Sequence, residues 1–270
     1  MSKKNYKDYI KEIILKSKIL LTLLKTINFF FKFFDKIPHL LLEADLKNNL
    51  VVRGGPFKGL IYPEPRTLGY FFPVILGIYE THLHKHIINF KKNKYDNIIN
   101  IGSAEGYYAV GMALLFPGTN IVAIDKDREA LNFLNKMAKL NNVEKNIKTY
   151  QDDAKIFLKS ITPDSRNLII CDCEGCEFNI FSPENINLLN KSDLIIEMHY
   201  KNKNPETERK EFIQRFERFH DVKIQKLSKL GSENNVEDYP FLKNIPVKYA
   251  SRFVKVNRSL TAEWLILSPK

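Results

Sequence analysis

The sequence has few cysteines, and its three, Cys171, Cys173 and Cys176, fall within six residues of one another. An odd number packed so closely makes a poor disulfide framework, so a small disulfide-stapled scaffold is excluded and a reducing, cytoplasmic setting is expected. There is no second cysteine pair to complete a zinc site. No uncharged apolar run approaches the roughly 18–20 residues that span a bilayer. No small-residue cleavage site follows an uncharged apolar stretch, so no cleavable signal peptide is expected. Internal repeats and low-complexity linkers are missing too.

What the chain does have is core material and positive charge. Of its 270 residues, 44% are hydrophobic and 27% charged, the profile of a globular chain. Lys and Arg number 42 against 31 Asp and Glu, a net charge of +11. Such a balance suits nucleic acid, anionic lipid or an acidic substrate, and equally a plain lysine-coated surface.

Three stretches are legible. Residues 1–49 form a basic helical extension, with one long helix expected over 5–35. Lys11, Lys18, Lys25 and Lys32 recur every seven residues along it, and most of the remaining circumference is Ile, Leu and Phe. This helix is expected to pack on its own domain or a second subunit, or to lie in a membrane interface. Residues 50–95 precede the core. Leu50–Tyr62 reads as two strands joined by a Gly-rich turn, a small β-hairpin, and residues 74–90 as a helix.

From residue 96 to 270, short apolar strands alternate with amphipathic helices. Strands are expected at Asn97–Ile101, Asn120–Asp125, Ile147–Tyr150, Asn167–Asp172 and Asp193–Met198. Helices are expected near 106–116, 127–141, from Asp153, at 183–190 and at 205–219. Two late strands close the chain at Val222–Leu227 and Ala262–Leu267. Alternation of this kind gives an α/β, Rossmann-like, doubly wound sheet of seven mostly parallel strands with an antiparallel last strand.

The chemistry gathers at the strand ends, where open parallel sheets bind ligands. Asn100-Ile-Gly-Ser-Ala-Glu-Gly106 follows a strand and opens a helix. Gly102 lets the backbone turn close to a ligand, and Gly106 sits at a helix start. The spacing is not the Gly-x-Gly-x-x-Gly of dinucleotide binders. Asp125, at the end of the second strand, is placed to accept hydrogen bonds from ribose hydroxyls. Asp153, with Ala154, follows the third strand near an expected adenine. The fourth and fifth strands bring Asp172, Glu174, Glu197 and His199 to one edge. There His199 can serve as general base with a carboxylate orienting it, or Asp172 and Glu197 can hold magnesium. His82, His84 and His86 are read as ordinary helix residues, not metal ligands.

Asn100–Gly106, Asp125 and Asp153 resemble the cofactor motifs of class I methyltransferases, with Asn100 where an acid is usual. The resemblance implies S-adenosylmethionine as cofactor, held by Asn100, Gly102, Ser103, Ala104, Glu105, Gly106, Tyr107, Asp125, Asp153 and Ala154. Magnesium is a secondary candidate, and no metal ligand set is assigned. Asp172-Cys-Glu-Gly-Cys-Glu177 and Glu197 resemble the signature of FkbM-like methyltransferases, which act mostly on hydroxyl groups. Gly55–Gly59, Leu76–Glu80, Gly106–Gly111, Glu197–His199 and Glu263–Leu265 are similar to a group of uncharacterised bacterial methyltransferases. The implied activity is O-methylation of a sugar, glycan or small molecule, with Asp172, Glu174, Glu197 and His199 as the catalytic set. Nucleic acid is disfavoured as a partner, because the fourth strand ends in Asp-Cys-Glu-Gly and not in an Asn/Asp-Pro-Pro-aromatic turn, and no stacked aromatic-basic platform stands out. An RNA methyltransferase and a non-catalytic module on the same fold remain the alternatives.

Overall fold

The computed structural model describes residues 37–65, 70–151, 154–200, 205–226 and 263–270, with positions 7, 10, 22, 23 and 25–30 before them. The chain divides into two units, residues 1–48 with 234–253 and residues 49–233 with 254–270. In the first, the described positions before residue 31 are helical, and helix α1 spans Ile37–Asn48 with Leu40 and Leu41 exposed. The rest of the helix expected over 5–35 lies outside the described residues, and with it the expected membrane or subunit contact. No helix among the described residues is long and apolar enough to cross a membrane.

The second unit carries a seven-stranded sheet in the order β3-β2-β1-β4-β5-β7-β6. Its strands are β1 (Asn97–Ile101), β2 (Asn120–Ile124), β3 (Ile147–Tyr150), β4 (Asn167–Cys171), β5 (Asp193–Met198), β6 (His220–Lys226) and β7 (Glu263–Pro269). β1 to β5 pair in parallel, and β7 runs antiparallel between β5 and β6. All five residues of β4 and all six of β5 are buried. Helices cover both faces of such strands, which is why Leu168–Cys171 and Leu194–Ile196 read as short apolar runs. Ile99, Ile124, Ile169, Ile196 and Leu265 belong to one core cluster built on the sheet.

The crossover helices follow from local chemistry. Helix α4 (Tyr107–Leu115) is buried from Tyr107 through Ala113, so its sequence is apolar all round. Helix α5 (Arg128–Leu140) opens on Asp127, whose side chain accepts from Glu129 N at 2.8 Å, and it buries Leu131, Leu134 and Met137. The short helices α6 (Ala154–Leu158), α7 (Glu177–Ile180) and α8 (Pro183–Ile186) and the longer α9 (Pro205–Gln214) complete the layers.

Two expectations before the core change. The hairpin at 50–62 reduces to a single antiparallel bridge, Val51 to Ile61. Beyond Val52 the chain leaves its partner, because Arg53 N donates to Ile75 O at 2.9 Å. The helix expected over 74–90 is two helices, α2 (Phe71–Leu76) and α3 (Thr81–Phe90). Gly77 ends the first in the left-handed region (φ 73°), packed so closely on Gly54 that a Cβ would lie 2.3 Å from its carbonyl carbon. Glu80 is also left-handed (φ 52°), a strained conformation for a residue with a side chain.

Candidate active site

A cavity of about 530 Å³ lies at the carboxyl ends of β1, β2 and β4. Its volume falls in the usual range for small-molecule sites. The turn after β1 forms one wall. Gly102 has φ 70°, and a Cβ there would come within 1.8 Å of Asp172 O on the neighbouring β4 edge, so only glycine fits. Ala104 is left-handed as well (φ 43°), and its N–H donates to Asp125 Oδ2 at 2.7 Å. Asp125 Oδ1 accepts from Asp127 N at 2.8 Å. The Asp125 carboxylate thus ties the β1 turn to the β2 turn, while the cap of α5 falls to Asp127.

Ser103, Glu105, Tyr107 and Ala154 line the cavity beside Gly102 and Asp125. Ser103 Oγ is buried and has no hydrogen-bond partner among the described residues. Asn100 is buried beneath the turn, where Nδ2 donates to Ile170 O at 3.4 Å. Gly106 starts α4, its Cα packed towards Leu134. Asp153 lies outside the described residues. A glycine turn in close contact with β4, a buried unpartnered hydroxyl and a carboxylate at the β2 edge fit a nucleoside-linked amino acid such as S-adenosylmethionine.

The opposite wall is the loop after β4, with Asp172, Cys173, Glu174 and Cys176 at the cavity. Glu174 (φ 53°) and Gly175 (φ 98°) turn the backbone left-handed, which brings Cys173 and Cys176 together as a disulfide. The sequence predicts no such pairing. Cys171 is free and buried.

His199, just beyond β5, joins this loop. Its Nδ1 lies 2.8 Å from Glu177 Oε1, and its Nε2 lies 3.4 Å from Glu174 Oε2 and 3.8 Å from Asp172 Oδ1. The hydrogen bond to Glu177 raises the imidazole pKa to about 9 against the opposing effect of burial. The ring therefore carries a proton at neutral pH, when a general base must be free of one. Three of the four residues expected at this edge do meet: Asp172, Glu174 and His199. Glu197 does not reach the cavity wall among the described residues; it is buried within β5, opposite Trp264. Glu177 takes the orienting place that sequence reasoning gave a carboxylate neighbour. The signal was present in the last residue of Asp172-Cys-Glu-Gly-Cys-Glu177.

Asp172, Glu174 and His199 each offer a ligand atom within 4.8 Å of the others, the one group of metal-ligating type among the described residues. The three histidines of α3 have separate partners: His82 Nε2 faces Glu80 at 3.0 Å, His84 Nε2 faces Tyr79 O at 2.9 Å, and His86 Nε2 faces Gln225 at 3.3 Å.

Residues 81–227, just over half of the chain, match the model of the TRM5/TYW2 methyltransferase domain. The ribosomal RNA small subunit methyltransferase G of Mesoplasma florum is 35% identical over 69 residues, 25% of this chain and 29% of that protein. Its namesake from Malacoplasma penetrans is 30% identical over 64 residues, 22% of this chain and 27% of that protein. The likeness therefore spans less than a third of these curated relatives. Among solved structures, an rRNA methylase from Streptococcus thermophilus is 10% identical, with a TM-score of 0.43 over 71% of this chain and 98% of its own. The precorrin-6y C5,15-methyltransferase of Geobacter metallireducens is 15% identical, with a TM-score of 0.42 over 68% of this chain and 85% of its own. The two curated relatives are ribosomal RNA enzymes by name, which overturns the expectation of a glycan or small-molecule acceptor with nucleic acid disfavoured. The absent Asn/Asp-Pro-Pro-aromatic turn describes one way of presenting a base, so it was too narrow a ground for that exclusion. The chain belongs to the TRM5/TYW2 methyltransferase domain family of class I S-adenosylmethionine-dependent methyltransferases.

Proposed function

We propose that this chain methylates RNA at the cavity between the β1 turn and the loop after β4. S-adenosylmethionine supplies an electrophilic methyl group, so the protein's task is to align the acceptor and receive its proton. Asp125 holds the ribose hydroxyls, and Ala154 lies on the adenine side. The turn Gly102–Gly106, with Tyr107 after it and Asn100 beneath, takes the methionine end.

The observation that carries the catalytic reading is the acidic rim, Asp172 and Glu174, on the same cavity as Asp125 and the glycine turn. In this reading those two carboxylates receive the acceptor's proton. His199 is a positioning residue, because its proton is held by Glu177 and it fixes the rim from behind. Glu197 supports the site from within β5. The rim is also the stretch whose sequence, Asp172-Cys-Glu-Gly-Cys-Glu177, resembles the FkbM-like signature. The magnesium considered at Asp172 and Glu197 is not used in this reading, since Glu197 is buried within β5 and does not line the cavity among the described residues. RNA as acceptor is supported by the names of the relatives and by the net charge of +11.

The test is transfer of labelled methyl from S-adenosylmethionine to unmodified small-subunit ribosomal RNA. Incorporation that is lost in Asp172→Asn/Glu174→Gln supports the proposal. A protein that binds the cofactor but labels no RNA contradicts it.

A further inference from the structure

The geometry points to Glu105 as the residue that holds the cofactor's α-ammonium, in place of the acid usual at position 100. This rests on the reading of the cavity as the cofactor site.

Position 100 is poorly suited to the task. Asn100 is 1% exposed, its amide nitrogen donates to Ile170 O, and it is not in the cavity wall among the described residues. An amide also carries no charge to match an ammonium. Five residues on, Glu105 is in the wall and only 7% exposed. A carboxylate so enclosed interacts with a cation far more strongly than one in water.

A second observation points to the same ligand. Ser103, 4% exposed, lines the same cavity, and its Oγ has no hydrogen-bond partner among the described residues. Ser103 and Glu105 flank Ala104, whose N–H is fixed on Asp125 at 2.7 Å, so one rigid turn presents both side chains. A carboxylate and a hydroxyl presented together complement a zwitterionic α-amino acid: the ammonium donates to Glu105, and the carboxylate accepts from Ser103. The start of α4 adds the favourable end of its dipole for that carboxylate.

The test compares S-adenosylmethionine with 5′-methylthioadenosine, which keeps the nucleoside and sulfur but lacks the amino acid. Both are titrated calorimetrically into the wild-type protein, Glu105→Gln and Ser103→Ala. Loss of a charge-assisted hydrogen bond predicts that Glu105→Gln weakens S-adenosylmethionine about 10–100-fold while 5′-methylthioadenosine changes less than about twofold. Ser103→Ala shows the same selectivity with a smaller loss, about 3–10-fold, and keeps the test decisive should Glu105→Gln fold poorly. Unchanged S-adenosylmethionine affinity in both variants, or equal loss for both ligands, overturns the assignment. If the wild-type protein binds neither ligand, the cofactor reading itself fails and this inference with it.

Discussion

Glu177 Oε1 and His199 Nδ1 lie 2.8 Å apart, with the Glu177 side chain fully buried and the imidazole 27% exposed. The contact joins α7 to the end of β5, so the loop after β4 cannot move without the strand beside it. Glu177 Oε1 also accepts from Gly175 N at 3.2 Å, inside that same loop. One buried carboxylate thereby sets both the loop's turn and the direction of the imidazole facing Asp172 and Glu174.

This link has a pH signature. The folded-state pKa of His199, about 9, is raised above its ordinary value of 6.5. Its contribution to stability is therefore complete below about pH 6.5, shrinks as pH rises, and is gone once pH passes about 9. The difference in unfolding free energy between wild type and His199→Gln should be large at pH 6 and small at pH 10. Chemical denaturation across that range checks it, and a flat difference contradicts the ion pair. At pH 7, Glu177→Gln should cost about 1.5–3 kcal/mol, the usual range for a hydrogen bond to a charged group.

Gly102 offers a sharper structural test. A Cβ at Gly102 would sit 1.8 Å from Asp172 O, whereas one at Gly59 (φ 96°) has nothing within 4 Å. Gly59→Ala should cost only the left-handed penalty, about 1–2 kcal/mol. Gly102→Ala should cost more, because a backbone clash comes on top, and it should also abolish cofactor binding. Equal stability of the two variants in urea would show that the turn is not pressed against β4.

Much of this was legible in the residues. β1, β4 and β5 are buried almost throughout, so Ile98–Ile99, Leu168–Cys171 and Leu194–Ile196 appear as apolar runs with clear ends. The β1 turn announced itself by glycines between a strand and a helix. The break at Gly77–Glu80 did not, because Ile75, Ile78, Tyr79 and His82 keep a helical spacing across it. The hairpin pairing is present but short: Leu50 and Val52 bond to Tyr62, Leu60 and Gly59, and Arg53 N then turns to Ile75 O, a tertiary partner that pattern cannot show. Glu177 was not picked out as the carboxylate beside His199, because its place in the loop after β4 does not show which side chain its carboxylate meets. The glycan or small-molecule acceptor was favoured because one base-presenting turn and a stacked aromatic-basic platform were missing, and those signals cover only some of the ways an enzyme receives nucleic acid.

Asp125 should matter more to binding than to folding. Its carboxylate already accepts from Ala104 N and Asp127 N, and the remaining lone pairs are available for ribose hydroxyls. Asp125→Asn should weaken S-adenosylmethionine about 10–100-fold. Adenosine should weaken in parallel, because the ribose is common to both ligands. Adenosine binding that survives intact would place the ribose elsewhere.

RNA binding should be strongly salt-dependent. With a net charge of +11, contact to RNA phosphates releases counterions, so affinity should fall linearly on logarithmic axes as salt rises. Filter binding of unmodified ribosomal RNA between 50 and 200 mM salt is expected to lose roughly tenfold or more in affinity. A salt-independent affinity contradicts a phosphate-tracking surface.

The cofactor belongs in the cavity at the ends of β1, β2 and β4. The most direct test is calorimetric titration of S-adenosylmethionine and S-adenosylhomocysteine into the full chain, beside Gly102→Ala. Micromolar one-to-one binding of both ligands, absent in the variant, is the predicted result. No heat from the wild-type protein, or full binding by Gly102→Ala, would contradict the placement of the cofactor.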